Sequence, residues 1–515
     1  MIELCKKIIL IIFLIISCFL ILFSNYFLQT YSNIEIDEMI YYLQTGLEGG
    51  SYQVVIDGIK DNIILFLLLI VLLSLPIIKL GKFSYKIKLF YKKNKFEFRL
   101  FPLINSFKLK FLYVTIIFFF SINFTYKTLD IEAYIEKMNE SSSFIEDEYV
   151  DPRHTELIFP ENKRNLVVIY LESFETTMMS EENEGAWKKT VTPELENLAI
   201  NNINFSNTDL LGGAYPLNGA TWTIAGLVAS TAGIPLKIPI NGNDYGTTDN
   251  FLNGAYSLGD ILKKEDYNLK FMFGSDAKFG GRYQYFKKHG QYEIFDLGTA
   301  IDKGYMEEDE SVFWGFEDGK LFEWAKDELT KLAQEDKPFN LNLLTVNTHF
   351  TDGWLEKGAE ENFPTQYENV HAYSSKQVNQ FLEWMEKQDF YSNTTVVLLG
   401  DHNSMQEAAY YKDKVKEGFE RVTYNTIINA AKEPIREKNR VFSNADMYPT
   451  ILSSIGVEIK GNKLGLGTDL FSNEETLFEE YGVDYVNKEM GKNSSFYNSY
   501  LLGEDYINLL NSGKE

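Results

Sequence analysis

The fold is decided by a short apolar run that ends in an acid, Asn165-Leu166-Val167-Val168-Ile169-Tyr170-Leu171-Glu172-Ser173. The apolar part of this run is continuous and rich in β-branched residues, which is typical of a strand buried on both faces in a parallel sheet. Thr394–Leu399 has the same character, and Phe339–Val346 alternates more. The three runs therefore predict strands of one buried sheet.

Helix-forming segments lie between the predicted strands. Thr192-Pro193-Glu194 is a typical helix start, because a capping residue is followed by proline at the first helical position. Strands that alternate with helices favour an α/β domain whose central, mostly parallel sheet is covered by helices. The predicted helices are Thr192 to about Ala199, Ser257–Glu265, Lys320–Gln334 and Ser374–Gln388.

Two of the predicted strands end in residue types that bind metals. Glu172 follows the first strand, and Asp401 and His402 follow the strand that begins at Thr394. Ligands of open α/β sheets bind beyond the carboxyl ends of the strands, and a mixed oxygen and nitrogen set suits Mn²⁺ or Zn²⁺ better than Ca²⁺. Taken singly, Glu172 fits a helix-start acid and the Asp-His pair fits a turn. Taken together, the three residues favour a metal site.

A glycine-rich loop, Gly212–Gly219, precedes a helical stretch of small residues that contains Thr221 and Thr223. A hydroxyl at such a junction lies near a helix N-terminus, where backbone amides and the helix dipole favour phosphate. The alternative is that Thr221 or Thr223 only caps the helix. The local sequence by itself favours the cap.

Three apolar runs precede this domain: Ile8 to about Leu28, Ile63 to about Leu80, and about Phe111 to Phe124. The first two are long enough to cross a membrane, and the third needs its flanking residues. The first run follows two lysines, as a signal peptide does. No small-residue cleavage site comes after it, so we expect a retained helix.

Charge sets the expected orientation of these helices. Residues 29–62 carry six acids and one lysine, whereas residues 81–109 carry eight basic residues and one glutamate. An excess of Lys and Arg marks the cytoplasmic side of a membrane. We therefore expect a multi-pass membrane protein with three spans, a cytoplasmic N-terminus, and everything after about residue 126 outside the cytoplasm.

The composition of the external domain limits the kinds of molecule that it can bind. The chain has a formal net charge of −24, although residues 1–128 carry 14 Lys and Arg against 8 Asp and Glu. So acidic a domain will not bind nucleic acid through a basic face, and an anionic substrate would need local positive charge. The only cysteines are Cys5 and Cys18, which excludes a disulfide, a cysteine nucleophile and a thiolate metal site from the domain.

The chain also carries short motifs in a fixed order: Tyr170-Leu171-Glu172-Ser173, Thr192-Pro193-Glu194-Leu195, Thr223-Ile224-Ala225-Gly226, Ala229-Ser230, Gly233-Ile234-Pro235-Leu236, Gly259-Asp260-Ile261-Leu262, Thr348-His349, Asp401-His402 and Leu464-Gly465-Leu466-Gly467. In these motifs the chain resembles the alkaline-phosphatase superfamily, in its lipoteichoic acid synthase and phosphoglycerol transferase branch. The likeness covers about Asn165 to Leu470 and is strongest to glucan-directed phosphoglycerol transferases. Several motifs in order are far more specific than any one of them.

The resemblance implies a sulfatase-like catalytic domain with one divalent metal, for which Mn²⁺ is expected and Zn²⁺ or Mg²⁺ are alternatives. It implies that Glu172, Thr223, Asp401 and His402 hold this ion. Related proteins place Gly-(Ile/Leu)-Pro about ten residues after the nucleophile, which favours Thr223 over Thr221. The sulfatase motif Cys/Ser-x-Pro-x-Arg is absent, which argues against a formylglycine sulfatase.

On the substrate side, the resemblance implies a catalytic and substrate-binding role for His349 and substrate contacts from Asp276 and Arg282. The segment Phe273-Gly274-Ser275-Asp276 followed by Gly281-Arg282 departs from the synthase pattern, since Gly274 replaces a histidine, the spacing is shorter and a tryptophan is missing. The three expected spans also differ from the five of the synthases.

The implied function is transfer of phosphoglycerol from phosphatidylglycerol, or a similar lipid headgroup, to a glycan or polymer hydroxyl through a phospho-threonine. The alternatives are a phosphoethanolamine transferase, a phosphodiesterase, or a non-catalytic surface protein that binds a glycan or partner. The expected site of action is the outer face of the cell membrane, in a periplasm or at the cell surface. We predict a membrane domain at 1–126, a linker at 127–163, a catalytic domain at 164–472 and a C-terminal extension at 473–515.

Overall fold

A computed structural model describes the chain in segments, and these form two compact units. One unit holds the described elements up to residue 136, and the other holds the described residues from 137 onward. The described residues are 2–30, 36, 38–39, 52–78, 86–91, 94–99, 104, 106–237, 251–406, 408–412 and 414–503.

The first unit is built from apolar helices and one hairpin. Its elements are α1 (Ile2–Thr30), α2 (Tyr52–Ser74), the antiparallel pair β1 (Lys86–Tyr91) and β2 (Asn94–Arg99), and α3 (Phe107–Thr128). Helices α1 and α3 pack together, with the rings of Phe13 and Phe118 4.9 Å apart and Ser24 Oγ donating to Thr125 Oγ1 at 2.9 Å.

Two segments of this unit are long and apolar enough to cross a membrane, Lys6–Phe27 and Phe107–Thr128. The apolar part of α2, Asn62–Ser74, is shorter. The run predicted to end near Leu80 continues beyond Ile78, outside the described residues. Two candidate spans therefore stand, and the third stays a prediction.

The second unit is organised around a six-stranded sheet in the order β6-β5-β7-β4-β8-β9. All neighbouring pairs are parallel except β8 and β9. The predicted α/β class and all three predicted strands are confirmed, although the third ends at Leu344 rather than Val346. The strands are β4 (Asn165–Leu171), β5 (Asn268–Phe273), β6 (Glu293–Phe295), β7 (Phe339–Leu344), β8 (Thr394–Gly400) and β9 (Asn425–Ile428).

Strand β4 lies at the centre of the sheet, between β7 and β8. Its residues Leu166 to Leu171 have no solvent exposure, so both faces of the sheet are covered. Each buried Val, Ile or Leu side chain stabilises the fold by about 1.5–3 kcal/mol relative to an exposed one. This burial explains the continuous apolar run and fixes where β4 ends.

Helices connect these strands, and most lie close to the predicted positions. The segment Ser257–Glu265 forms a helix whose two predicted ends are its N-cap and C-cap. The helix predicted from Ser374 begins eight residues earlier, because Thr365 and Glu368 form a capping box ahead of a mixed polar and aromatic turn. The helices are α6 (Pro193–Asn201), α7 (Thr223–Ala232), α8 (Leu258–Lys264), α9 (Arg282–Lys288), α10 (Leu297–Asp302), α11 (Asp318–Leu332), α12 (Gln366–Met385), α13 (Ala408–Lys412) and α14 (Met447–Ser454).

The segments predicted as the linker, 127–163, and the C-terminal extension, 473–515, pack against each other. Ser142 Oγ donates to Glu489 at 2.6 Å, and the backbone N–H of Asn493 donates to Glu140 O at 2.9 Å. Lys237, which follows α7, donates from Nζ to Met490 O at 2.6 Å. The other α-helices and strands are α4 (Ile131–Asn139), α5 (Phe144–Glu148), α15 (Leu477–Tyr481), α16 (Val483–Gly491), and the paired two-residue strands β3 (Leu157–Ile158) with β10 (Glu458–Ile459) and β11 (Lys463–Leu464) with β12 (Gly467–Thr468).

Candidate active site

The register of β4 and β8 brings the predicted acids together. Leu171 pairs with Gly400, so Glu172 and Asp401 leave neighbouring parallel strands at the same level. Ser173 then adopts a left-handed backbone conformation with φ of 57°, and its N–H donates to Asp401 Oδ1 at 2.8 Å. A non-glycine residue in this region stores strain of about 1–3 kcal/mol, which is found most often at functional sites.

Three predicted ligands meet at this edge of the sheet. Ligand atoms of Glu172, Asp401 and His402 all lie within 4.8 Å of one another, and all three side chains are buried. His402 Nε2 is 3.3 Å from Glu172 Oε1 and 3.4 Å from Asp401 Oδ2. His402 Nδ1 donates to Asn403 O at 2.8 Å, which orients the ring so that Nε2 faces the carboxylates.

Thr223 completes this cluster from the N-terminus of α7. Its Oγ1 lies 3.2 Å from Glu172 Oε2 and 3.4 Å from His402 Nε2. The N-cap of α7 is Trp222, with no side-chain cap hydrogen bond, and Thr223 is the first helical residue. The interpretation of Thr221 or Thr223 as a helix cap is therefore wrong. Thr223 instead holds its hydroxyl where a helix N-terminus favours phosphate.

A glycine allows α7 to approach the ligand loop this closely. A Cβ at Gly226 would lie 2.1 Å from Asp401 O, closer than any side chain tolerates. The same carbonyl accepts a hydrogen bond from Asn444 Nδ2 at 2.7 Å. The helix that carries Thr223 is thus seated directly on the loop that carries two ligands, which explains the small residue in Thr-Ile-Ala-Gly.

The cluster carries more negative than positive charge when both carboxylates are ionised. Burial and the negative charge of Glu172 raise the pKa of Asp401 to about 8. Burial lowers the pKa of His402, but Asp401 and Glu172 outweigh it and raise that pKa to about 10. Burial alone would raise the pKa of Glu172, yet His402 lowers it to about 2. Two buried carboxylates therefore depend on one imidazolium for their neutralisation.

The chemistry of the donor set fits a divalent cation. Asp401 Oδ2 is buried and accepts no hydrogen bond among the described residues. Together with Glu172, the Thr223 hydroxyl and His402 Nε2, it offers three oxygens and one nitrogen. Such a set suits Mn²⁺, Zn²⁺ or Mg²⁺, and a bound cation would replace the proton that the cluster otherwise needs.

A small cavity adjoins the cluster and contains the predicted substrate residues His349 and Arg282. Its lining also includes Glu172, Thr223 and Trp314. Arg282 is buried, its Nη2 donates to Asp276 O at 2.9 Å, and its guanidinium lies 4.8 Å from the Phe273 ring centroid. The cavity therefore places one permanent positive charge beside the Thr223 hydroxyl.

His349 is held at the cavity by its own loop. Its Nδ1 donates to Phe350 O at 2.8 Å, so the neutral ring presents Nε2 as an acceptor. Burial lowers the pKa of His349, which favours this neutral form. The adjacent Thr348 Oγ1 donates to Glu172 O at 2.6 Å, and Asp318 accepts from Val346 N–H at 2.8 Å. The Thr348 bond connects the His349 loop to the residue that follows β4, and the Asp318 bond connects it to the start of α11.

Asp276 occupies a different position from the other substrate residues. Its carboxylate accepts a hydrogen bond from the Lys278 N–H at 2.8 Å, and its backbone carbonyl receives the Arg282 guanidinium. Ser275, rather than Asp276, lies among the residues that line the cavity. Asp276 thus positions Arg282, and its contact with a substrate stays a prediction.

Trp314 is the cavity residue that the sequence did not reveal. Its ring lies 4.6 Å from that of His349 and 5.0 Å from that of Phe279. Its indole Nε1 is buried without a hydrogen-bond partner among the described residues. Gly280 lines the same cavity and leaves room beside it. The only sequence signal was the absence of a tryptophan from the 273–282 segment, which gave no hint of position 314.

A larger cavity, of about 680 Å³, lies elsewhere in the described residues. It is lined by residues of α6, β9 and the loops beside them, such as Ile200, Ile427 and Glu437. It shares no residue with the ligand cluster or with the cavity beside Thr223. Size is therefore a poor guide here, and the chemistry of the side chains decides which site is the candidate active site.

Comparison with known proteins agrees with these features. The profile of the sulfatase family matches residues 164–457. Phosphoglycerol transferase I of Escherichia coli is 30% identical over 337 residues, which cover 63% of this chain and 41% of that protein. The chain thus spans about two-fifths of the length of the curated relatives that it matches.

Two solved structures resemble this chain at low sequence identity. A protein of the alkaline phosphatase superfamily from Vibrio parahaemolyticus aligns with a TM-score of 0.49 and 21% identity, covering 64% of this chain and 76% of that one. The lipoteichoic acid synthase LtaP from Listeria monocytogenes aligns with a TM-score of 0.49 and 19% identity, covering 64% and 80%.

Proposed function

The chain belongs to the sulfatase family, within the alkaline phosphatase superfamily, and from this premise we propose that it is a membrane-anchored phosphotransferase. The transferred group is phosphoglycerol, its donor is phosphatidylglycerol, and its acceptor is a glycan or polymer hydroxyl. One observation carries the proposal: the Thr223 hydroxyl lies 3.2 Å from Glu172 and 3.4 Å from His402, inside a buried ligand cluster.

A threonine nucleophile agrees with the family and with the absence of a sulfatase motif. The sequence lacks Cys/Ser-x-Pro-x-Arg, so no residue is available for conversion to formylglycine in that motif. The relative from Escherichia coli is named a phosphoglycerol transferase. These two facts support phosphoryl chemistry over sulfate chemistry, and transfer over hydrolysis.

In the first half of the proposed reaction, Thr223 Oγ1 attacks the phosphorus of the lipid headgroup. Glu172, Asp401, His402 and Thr223 would hold a divalent cation, which would supply charge stabilisation to the phosphoryl oxygens and lower the pKa of the hydroxyl. The Thr223 proton passes to His349 Nε2 and from there to the departing diacylglycerol oxygen. The products are diacylglycerol and phosphoglycerol esterified to Thr223.

In the second half, an acceptor hydroxyl attacks the same phosphorus. His349 Nε2 takes the proton of that hydroxyl and returns it to Thr223 Oγ1 as the ester bond to threonine breaks. Arg282 holds a non-bridging phosphoryl oxygen throughout, because its buried guanidinium lies in the cavity beside Thr223. In this acidic domain, the Arg282 guanidinium thus provides local positive charge at the proposed phosphate position.

Membrane anchoring suits a lipid donor. Tethering next to the bilayer gives the site a high effective concentration of headgroups. We propose that α1, α2 and α3 all cross the membrane, which leaves the hairpin β1–β2 in the cytoplasm and the catalytic domain outside, as the charge bias requires. In a chain that lacks Cys5 and Cys18, the cysteine of a Lys88→Cys variant should not be labelled by a membrane-impermeant thiol reagent in intact cells. Labelling there would contradict this topology.

The experiment that tests the function supplies the full-length protein with fluorescent phosphatidylglycerol and Mn²⁺ and measures diacylglycerol. Thr223→Ala should lower its release by roughly 10³-fold or more, because the nucleophile is removed. The matched control is Thr221→Ala, whose hydroxyl is buried, makes no hydrogen bond among the described residues and lies outside the cluster. Wild-type release by Thr223→Ala would refute the assigned nucleophile.

The rival functions differ in product. A phosphoethanolamine transferase would release diacylglycerol faster from phosphatidylethanolamine than from phosphatidylglycerol. A phosphodiesterase would give free phosphoglycerol whether or not a glycan is present. A non-catalytic binding protein would release no diacylglycerol and would bind no Mn²⁺. Product analysis of both lipids, with and without glycan, separates all three from the proposal.

A further inference from the structure

An open groove lies between the catalytic domain and the C-terminal extension. It has a volume of about 580 Å³ and is lined by tyrosines and charged side chains. Tyr481 and Tyr485 are 38% and 49% exposed, so both rings are accessible from solvent. The residues that give the groove its character are Tyr215, Glu420, Arg421, Tyr481, Asp484 and Tyr485.

The two exposed tyrosines form a built platform. The ring of Phe144, which is buried, meets Tyr481 and Tyr485 at an interplanar angle of 81° in each case, with centroids 5.3 and 5.9 Å away. The tyrosine rings lie 6.1 Å apart. The Tyr481 hydroxyl donates to Glu148 at 2.8 Å. Linker and extension together hold two aromatic rings at the surface in fixed positions.

Arg421 connects the groove to the ligand loop. Its guanidinium makes a bidentate pair with buried Glu175, at 2.7 and 2.6 Å, and donates to Ser404 O at 2.7 Å. Asn403 Nδ2 in turn donates to Arg421 O at 2.9 Å. Asn403 and Ser404 directly follow His402 in the chain, so the groove begins where the ligand loop ends.

Tyr215 connects the groove to the nucleophile. It lies in the glycine-rich loop, eight residues before Thr223. Its hydroxyl donates to Glu420 at 2.5 Å and accepts from Asn207 Nδ2 at 3.2 Å. Both loops that build the Thr223 site therefore continue into the walls of the groove.

The chemistry of the groove selects its ligand. Aromatic rings pack against the C–H faces of a sugar, while carboxylates such as Glu420 and Asp484 accept hydrogen bonds from its hydroxyls. Glu148 adds a third carboxylate at Tyr481, from whose hydroxyl it accepts a hydrogen bond, whereas the charge of Arg421 is already balanced by Glu175. The resulting negative field repels an anionic polymer and leaves a neutral one unaffected.

We propose that this groove binds a neutral glycan and presents it as the acceptor of the transferred phosphoryl group. The identification of that glycan as acceptor rests on the proposed function, whereas binding itself does not. Linker and extension then have a role beyond anchoring, because they supply the aromatic platform. An anionic poly(glycerol phosphate) chain is the alternative occupant and serves as the competitor in the test.

The test uses the full-length protein in detergent micelles without donor lipid. Laminarihexaose, cellohexaose and maltohexaose are the neutral probes, and binding is measured by saturation-transfer NMR. We expect at least one hexaose to bind the wild type. Tyr481→Ala/Tyr485→Ala should weaken that binding at least tenfold, while Tyr481→Phe/Tyr485→Phe should retain it, because phenylalanine keeps the ring.

The matched control is Tyr500→Ala. Tyr500 lies in the same extension and is 38% exposed, but it does not line the groove. Binding should be unchanged in this variant, and circular dichroism should show the same unfolding midpoint for all folded variants. The single substitution Tyr485→Ala replaces the double variant if the latter fails to fold.

Three outcomes overturn the inference: no hexaose binds the wild type, the alanine variants bind as well as the wild type, or poly(glycerol phosphate) binds more tightly than every hexaose. With donor lipid added, the alanine variants should transfer at least tenfold less phosphoglycerol to the glycan and should release the first equivalent of diacylglycerol at the wild-type rate, because that release precedes attack by the acceptor. Absence of diacylglycerol release from the wild type contradicts the proposed function instead, and leaves the binding result standing.

Discussion

Two buried charged sites in the catalytic unit differ in how their charges are satisfied. In the ligand cluster, His402 is the only basic side chain of the described residues that forms an ion pair with Glu172 and Asp401, and Asp401 Oδ2 accepts no hydrogen bond among those residues. Where the extension meets the catalytic domain, Arg440 of the domain is fully buried, and its guanidinium donates to both carboxylate oxygens of Glu479 in the extension at 2.9 and 3.2 Å. Arg440 also donates to three backbone carbonyls, those of Leu470, Ser472 and Glu474.

This difference separates a functional site from a structural one. A buried ion pair whose donors and acceptors are all used costs desolvation energy but leaves nothing for a ligand to do. A buried cluster with surplus negative charge and an unused carboxylate oxygen is stabilised when a proton or a cation binds to it. Arg440 therefore attaches the extension to the domain, whereas the cluster that contains Asp401 could hold a metal ion.

The largest expected effect comes from Asp401→Asn. Asparagine keeps an oxygen for the Ser173 and His402 N–H groups but removes the ligand charge. Transfer activity should fall by roughly 10²–10³-fold or more, since charge stabilisation is lost. The measurement is diacylglycerol release per folded protein.

The stability of the same variant gives a second test of the difference between the two charged sites. Mn²⁺ at about 100 times its Kd should stabilise the wild type by about 2.7 kcal/mol, and Asp401→Asn should lose this gain. Without metal, the variant should unfold at the wild-type temperature or above it, because a buried carboxylate has been removed. If the metal-free variant is much less stable than the wild type, Asp401 stabilises the fold as the Arg440–Glu479 pair does.

The next effect is expected from Arg440→Met, which leaves Glu479 without its buried partner. The free energy of unfolding should fall by about 3–5 kcal/mol. The matched control is Arg436→Met, because Arg436 also contacts Glu479 but its side chain is 39% exposed. That change should cost less than about 1 kcal/mol.

Denaturant unfolding measures both arginine variants, and the Mn²⁺ shift should survive in each. The comparison fails if Arg440→Met is as stable as the wild type, or if it remains folded and no longer responds to Mn²⁺. Wild-type stability would mean that the Arg440–Glu479 pair contributes nothing to the attachment of the extension. Loss of the Mn²⁺ response would mean that this pair takes part in ligand binding.

The smallest effect is expected from Trp314→Phe, which removes one indole N–H from the cavity beside Thr223. A hydrogen bond to a charged phosphoryl oxygen contributes about 1.5 kcal/mol, so kcat/KM should fall by roughly tenfold. The control is Trp354→Phe, since the Trp354 N–H is already satisfied by Glu317 at 2.9 Å. Equal losses in the two variants would show that Trp314 only fills space.

The sequence predicted the parts of the molecule whose signal is local. A continuous apolar run reports burial on both faces, so β4, β7 and β8 were recognisable without knowledge of their partners. Ligand types at strand ends marked Glu172, Asp401 and His402 for the same reason. The early start of α12 at Gln366 was missed, because a turn of glutamine, tyrosine, glutamate and asparagine shows no apolar period.

Other features depend on register and close approach, which no single segment contains. Local sequence favoured Thr223 as a helix cap, and only the seating of Gly226 on the Asp401 loop places its hydroxyl within 3.2 Å of Glu172. Trp314 reaches His349 from a loop without a motif.

By itself, then, the sequence determined the α/β class, the apolar helices and the residue types of a metal site, because burial and charge act on each segment separately. Tertiary structure decided which hydroxyl joins the cluster, which ring lines its cavity, and how linker and extension form the tyrosine groove. Those outcomes require contacts between residues far apart in the chain, and their geometry is fixed only when the strands pair and the helices pack.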